Sequence, residues 1–301
     1  MKQENYAGGY ALITGATGGL GKAFAEALAK RKCKLLLTGR SEEKLIALKN
    51  ELLEKYALSS VEIFACDLAN EQGRYKVMEQ IRAKNYKIRL LVNVAGADVQ
   101  KALEDYTQEK ITFQCRVNLE AAVSLCRFAV EARAERLEII NISSVSGIYP
   151  MPYFAIYSAT KAALTSFSVS LREELKGKNV AVSAILPGAM PTREDIKAQI
   201  KGQGLWGKLA VKSPQAVAEC SLKAVQKNKA KVIVGFLNKC FKEKARNCFL
   251  YKSFKDGKRY SPRTNTTKLI SCPPETSRQS KKSLPFRYRQ IYTQLLSPPF
   301  S

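Results

Sequence analysis

Short apolar runs alternate with amphipathic stretches through roughly the first 240 residues. YALIT (10–14), KLLLT (34–38), VEIFA (61–65), IRLLV (88–92), LEIINI (137–142), VAVSAIL (180–186) and KVIVG (231–235) predict strands. Their near-continuous apolar character is that of strands buried on both faces, as in a parallel sheet covered by helices. Between them, residues 20–31, 42–56, 71–84, 107–132, 155–176 and 213–227 repeat apolar positions at helical spacing. SEEKLIALKNELLEKY shows the pattern, with Ser41 as N-cap, glutamates in the first turn and apolar residues at 45, 48, 52 and 53. Ser213-Pro214 marks another helix start, proline being favoured at the first helical position. Alternating strands and helices predict an α/β fold with a doubly wound parallel sheet, Rossmann-like, in a single domain over residues 1–240.

The pattern fades after residue 240, and the charge changes with it. The chain carries a formal +24, of which the segment from Lys239 to Ser301 supplies half, with 15 Lys/Arg against three Asp/Glu. Residues 241–301 are rich in Ser, Thr, Pro and basic residues and are expected to form a disordered, basic tail. Basic residues interleaved with aromatics, as in KKSLPFRYRQIY, leave contact with anionic membrane or nucleic acid open for that segment. No apolar run is long enough for a membrane span, and MKQENYAGG is unlike a signal peptide, so a cytoplasmic location is expected. The eight cysteines show no CxxC pairing, which suits reduced thiols.

The chain contains no histidine. A Ser-His-Asp triad is therefore excluded, and without histidine or paired cysteines no metal site is expected. Any proton transfer near neutral pH has to use another side chain. YSATK (157–161) sets Tyr157 and Lys161 four apart, one above the other on a helix face. A nearby cation lowers a phenol's pKa, so this pair is an acid/base device that needs no imidazole, or else a plain helical neighbour pair.

TGATGGLG (14–21) lies between the first strand and the first helix. Its glycines allow a tight turn and close backbone approach, and the helix N-terminus offers free N–H groups to a pyrophosphate. Strand two ends in Gly39-Arg40, where an NAD site would present a carboxylate to the ribose hydroxyl and an NADP site an arginine. Arg40 therefore favours NADP(H) over NAD(H).

Taken together, these residues resemble the classical short-chain dehydrogenase/reductase family. TGATGGLG is similar to that family's TGxxxGxG turn, which implies cofactor contacts at Gly15, Thr17, Gly19, Leu20 and Gly21. CDL (66–68) resembles the segment that holds the adenine, giving Asp67 and Leu68. NVAG (93–96) looks like NNAG with Val94 replacing the second asparagine, and implies Asn93, Ala95 and Gly96. PGAMPT (187–192) resembles the segment along the nicotinamide and implies Pro187, Gly188 and Thr192. The resemblance also implies a catalytic tetrad of Asn118, Ser144, Tyr157 and Lys161, with Ser143 the competing serine. In that scheme Tyr157 exchanges a proton with the substrate oxygen while Lys161 lowers its pKa and holds the nicotinamide ribose. Ser144 holds the substrate oxygen, and Asn118 positions a water. Asp67 retains the alternative of capping the next helix.

The family's chemistry implies hydride transfer between NADP(H) and a carbonyl or secondary alcohol, in a homo-oligomer. Ile196, Ile200, Leu205, Trp206 and Leu209 could line an apolar lid, which would suit a 3-oxoacyl or ketosteroid-like substrate, or could pack on their own domain. Two other readings stay open: a non-catalytic dinucleotide-binding regulator, and a protein whose basic tail binds anionic membrane or nucleic acid.

Overall fold

Seven strands form one sheet in the computed structural model, which describes residue 6 and residues 8–149, 152–190 and 212–235. They are β1 (Tyr10–Ile13), β2 (Lys34–Gly39), β3 (Val61–Ala65), β4 (Ile88–Asn93), β5 (Arg133–Ile142), β6 (Val180–Leu186) and β7 (Lys231–Ile233). Their order is β3-β2-β1-β4-β5-β6-β7, and every neighbouring pair is parallel. The doubly wound α/β expectation holds.

Neighbouring residues of each strand face opposite layers. Ile13, Leu35, Leu37, Leu90, Val92 and Ile140 pack under α1 (Gly19–Ala29), α2 (Glu42–Tyr56) and α7 (Pro214–Gln226). Leu12, Leu36, Leu91, Ile139 and Val182 pack on the other side, against α3 (Glu71–Ala83), α5 (Ala121–Glu131) and α6 (Ala155–Glu174). This two-sided burial is why the strands read as continuous apolar runs rather than alternating ones. The expected caps form: Ser41 accepts from Lys44 N at 3.2 Å, and Ser213 from Ala216 N at 3.1 Å ahead of Pro214.

Two elements depart from the sequence reading. The helix expected over 107–132 is α4 (Gln108–Cys115), a π-helical turn at Arg116–Glu120, and α5. Such a turn widens the helix by one residue, a device common at functional sites. β5 begins at Arg133, ahead of its apolar run. Its polar start is accommodated because Glu138, fully buried, pairs with Arg136 at 2.9 Å and with buried Arg89 of β4 at 3.5 Å.

By its contacts the chain divides into Met1–Asp256 and Gly257–Ser301, and all described residues lie in the first unit. The expectations for Thr192, for the lid residues 196–209 and for the basic tail lie outside the described residues. Among the described residues, no helix is long and apolar enough to cross a membrane, and no group of three His, Cys, Asp or Glu residues is placed to hold a metal. From β1 the chain winds outward to β3 and then returns to β4 beside β1, so the connections diverge between β1 and β4 at their carboxyl ends. A doubly wound sheet opens its ligand crevice at that point.

Candidate active site

A cavity of about 660 Å³ occupies this crevice. Its first half is built by the β1–α1 turn and the ends of β2 and β3. Gly15 adopts a left-handed φ of +62°, and a Cβ on Gly21 would lie 2.1 Å from the Gly15 carbonyl oxygen. Only glycine therefore lets α1 begin against the turn that precedes it. Gly18 caps α1 without a side-chain hydrogen bond, and no acid occupies the first helical turn. The α1 terminus thus offers unpaired N–H groups and positive dipole to the cavity, which suits an anionic pyrophosphate.

Thr17, Gly19, Leu20, Gly39, Arg40, Asp67 and Leu68 line the same half. Gly39 is the buried last residue of β2, and Arg40 is exposed just beyond it. The Asp67 carboxylate accepts from Ala69 N at 3.0 Å and so braces its own turn; α3 itself is capped by Asn70.

The second half is built by β4, β5 and α6. Thr14 connects it to the first: its hydroxyl accepts from Val94 N and Ala95 N at 2.9 and 3.0 Å and faces the Val92 carbonyl at 3.4 Å. Ala95, Gly96, Pro187 and Gly188 line the cavity, with Val99, Phe113, Val117 and Met190 giving it an apolar wall.

Asn93 is placed differently. It is buried behind the cavity wall, donating to Asn141 Oδ1 at 2.8 Å, and Asn141 donates to Ser168 Oγ at 2.9 Å. The pair is directly in register across β4 and β5 and joins the two strand ends that carry site residues.

Tyr157, Lys161 and Ser144 share one wall. Tyr157 and Lys161 occupy the first two turns of α6. Lys161 is 4% exposed and donates to the Ile142 carbonyl at 2.8 Å, with its Nζ 5.7 Å from the Tyr157 ring centroid. Ser144 Oγ accepts from Ser146 N at 3.1 Å and pairs with Ser146 Oγ at 2.8 Å. Ser143 is occupied elsewhere, donating to the Lys161 carbonyl at 2.8 Å and sharing a hydrogen bond with Thr165. The geometry thus separates the two serines.

Asn118 sits in the π-helical turn, 1% exposed and just behind the cavity lining. It grips one residue by both its backbone groups, accepting from Ala97 N at 2.7 Å and donating to Ala97 O at 3.0 Å, and it donates to Thr160 Oγ1 at 3.1 Å.

Burial pushes the Tyr157 phenol up to about 12, while its hydrogen bond to Ser144 acts the other way. Burial lowers Lys161 to about 8. Burial, the largest cause, keeps Tyr157 protonated at neutral pH, and Asp98 adds to the rise.

Four contributors escaped the sequence reading. Thr14 begins the glycine motif and was readable only as part of it. Gln114, four residues before Asn118 and so on the same helical face, also holds the Ala97 carbonyl, at 3.0 Å. Gly147 lets the Val145–Gly147 turn press on α6, since a Cβ there would lie 2.8 Å from the Lys161 carbonyl carbon. Asp98 lines the same cavity as Tyr157 and Lys161, an acid two residues past NVAG.

The profile of the short chain dehydrogenase family matches residues 9–201. The very-long-chain 3-oxoacyl-CoA reductase of Bos taurus is 35% identical over 228 residues, covering 72% of this chain and 69% of that protein. The human protein of the same name is 33% identical over 196 residues, covering 62% and 61%. The chain therefore spans roughly three fifths to two thirds of these relatives' length. Among solved structures, L-sorbose reductase from Gluconobacter frateurii, complexed with NADPH and L-sorbose, superposes with a TM-score of 0.70. It is 28% identical, and the match covers 78% of this chain and 97% of that one.

Proposed function

Because the chain belongs to the short-chain dehydrogenase family of oxidoreductases, we propose that it is an NADP(H)-dependent reductase acting on the carbonyl of an apolar substrate, a 3-oxoacyl thioester in the first instance. The observation that carries this reading is the meeting of Ser144, Tyr157 and Lys161 on one wall of a cavity whose other half is a glycine-built anion cradle edged by Arg40. The cradle fits a dinucleotide: Gly15, Thr17, Gly19, Leu20 and Gly21 would hold the pyrophosphate, and Arg40 the 2′-phosphate. Asp67 and Leu68 would hold the adenine end, while Ala95, Gly96, Pro187 and Gly188 would flank the nicotinamide. Thr192 completes the proposed set from outside the described residues. Asn93 contributes from behind, by tying the Ala95–Gly96 strand end to Asn141. When bound, the cofactor supplies the hydride.

The protein supplies the proton and the field. Tyr157, held protonated by burial, gives its proton to the substrate oxygen as negative charge develops there. Ser144 donates a hydrogen bond to the same oxygen; such preorganised donors stabilise developing charge without reorganising. Lys161 titrates near 8, so at neutral pH it carries a positive charge that stabilises the phenolate left behind. Asn118 holds Ala97 by its N–H and its carbonyl, and with it the segment after β4, where a Cβ on Gly96 would lie 3.4 Å from Lys161 Nζ.

Support for an apolar substrate comes from Val99, Phe113, Val117 and Met190 on the cavity wall and from the named activity of the bovine relative. NADPH oxidation should be followed against a panel of aldehydes, ketones and 3-oxoacyl thioesters. Tyr157→Phe should retain the fold and NADPH binding while turnover falls by about 100-fold or more, since only the transferable proton is lost. Near-normal turnover in that variant would remove Tyr157 from the mechanism.

A further inference from the structure

Asp98 follows a residue whose backbone is held by three hydrogen bonds. Ala97 is held at its N–H by Asn118 Oδ1 and at its carbonyl by Asn118 Nδ2 and Gln114 Nε2. Downstream, Lys101 N donates to the Tyr153 carbonyl at 2.8 Å. The carboxylate is therefore carried on a braced loop, and it lines the cavity together with Tyr157 and Lys161.

The cavity has few charged groups in its lining. Among the described residues these are Arg40, Asp67, Asp98 and Lys161. Arg40 and Asp67 belong to the ends of β2 and β3, in the dinucleotide half. Among the described lining residues on the β4 side, the titratable and charged groups are Asp98 from the loop after β4, with Tyr157 and Lys161 from α6. The lining segments that follow β5 and β6, Ser143, Ser144, Pro187, Gly188 and Met190, add no charge.

The Lys161 ammonium is thus buried with Asp98 as the anion sharing its half of the cavity. Burial of an isolated ammonium is costly, and an opposite charge close by offsets that cost. The directions agree: burial lowers Lys161, and Asp98 acts against it. For Tyr157, burial raises the phenol and Asp98 adds to the rise.

We propose that Asp98 is a positioning residue that keeps the Tyr157–Lys161 pair in its doubly protonated, reduction-ready state. It acts through the pair and transfers no proton itself. The assignment rests on the proposed reductase function for its catalytic consequence, but its electrostatic content can be read independently. Both members of the pair move in one direction when the carboxylate is neutralised, so the sign of the effect does not depend on which of them limits the rate.

The test uses the full-length protein and Asp98→Asn, with Asp98→Glu as the charge-conserving control. Trace acetic anhydride labelling across pH, with the Lys161 peptide quantified by mass spectrometry, gives the titration midpoint of that amine whether or not the enzyme turns over. In Asp98→Asn the midpoint should fall by about half a pH unit or more, the scale of a nearby charge partly screened by solvent; Asp98→Glu should stay near wild type. In the reductive direction the alkaline limb of kcat/KM should shift to lower pH by a similar amount in Asp98→Asn. An unmoved Lys161 midpoint, or a moved midpoint with an unmoved kinetic limb, overturns the proposal. If Tyr157→Phe proves fully active, the catalytic reading fails on its own, while the labelling experiment still decides whether Asp98 governs the charge of Lys161.

Discussion

Adding one methyl group at Gly21 should damage both the fold and the cofactor site. The Cβ of an alanine there would lie 2.1 Å from the Gly15 oxygen and 2.8 Å from Ala16 Cα, where real contacts stay beyond 3.0 Å. The obstruction is backbone, so no side chain can rotate out of the way. Relieving it requires the β1–α1 turn and α1 to separate by about 1 Å, an overpacking of the kind that costs about 1–3 kcal/mol. For a domain of this size each kcal/mol lowers the melting temperature by about 2–4 °C, which places the expected fall at about 2–12 °C. Gly18→Ala is the matched control, because its Cβ would meet the same oxygen at an ordinary 3.4 Å. Its cost should stay under about 1 kcal/mol, the value of a mediocre N-cap. Differential scanning calorimetry gives the stabilities, and calorimetric titration with NADPH shows whether affinity falls with them. If Gly21→Ala melts with Gly18→Ala and binds NADPH as tightly, the turn is not closed around Gly21 and the cradle is wrongly drawn.

Cofactor preference should rest on the end of β2: wild type should favour NADPH over NADH by about tenfold or more, as a charged hydrogen bond of about 1.5–3 kcal/mol implies. Gly39→Asp with Arg40→Ala should invert the ratio of kcat/KM values, since a Cβ at Gly39 meets Thr17 Oγ1 at a tolerable 3.4 Å; an unchanged ratio would make Arg40 a bystander. Lys161→Met should abolish most activity yet raise stability at pH 7 by about 1–2 kcal/mol, because it removes a buried charge at the cost of one hydrogen bond to Ile142. Below pH 8 the folded and unfolded wild-type chains both carry the ammonium, so the burial cost is fully present there. Between about 8 and 10.5 only the unfolded chain keeps its proton, and wild-type stability rises with pH. The gap between variant and wild type in urea midpoint should therefore close over that range, and a constant gap would show that Lys161 is not buried charged.

Much of this arrangement was legible because two-sided burial leaves an unmistakable trace. The apolar runs marked all seven strands, and the caps at Ser41 and Ser213 marked helix starts to the residue. The glycine turn and YSATK were legible as chemistry because their spacing has meaning on a known local geometry. The π-helical turn was not, since inserting one residue into a helix does not disturb its apolar periodicity enough to be seen in RVNLE. The start of β5 was hidden because RAERLE is polar, and the ion pair of its Glu138 with Arg89 of β4 comes from a partner that only the sheet brings close. Asn93 was assigned by its motif to the cofactor but is buried toward Asn141, a direction set by strand register and invisible in a four-residue match. Asp98 went unread because nothing local distinguishes it from any other loop acid.

The Thr14 hydroxyl has a consequence for the order in which the molecule is built. It fastens the end of the first strand to Val94 and Ala95, 80 and 81 residues further along the chain. As the chain leaves the ribosome, Tyr10 can pair with Lys34 early, giving β1 one neighbour. Its other edge waits for Ile88 and the strand that follows. Until then the future crevice is an open strand edge, the kind of surface that captures foreign strands. Long-range closure of this sort is entropically slow. The cradle for the dinucleotide is therefore synthesised some 80 residues ahead of the strand end that completes it, so a nascent chain stalled before β4 carries the glycine motif without the wall it works against.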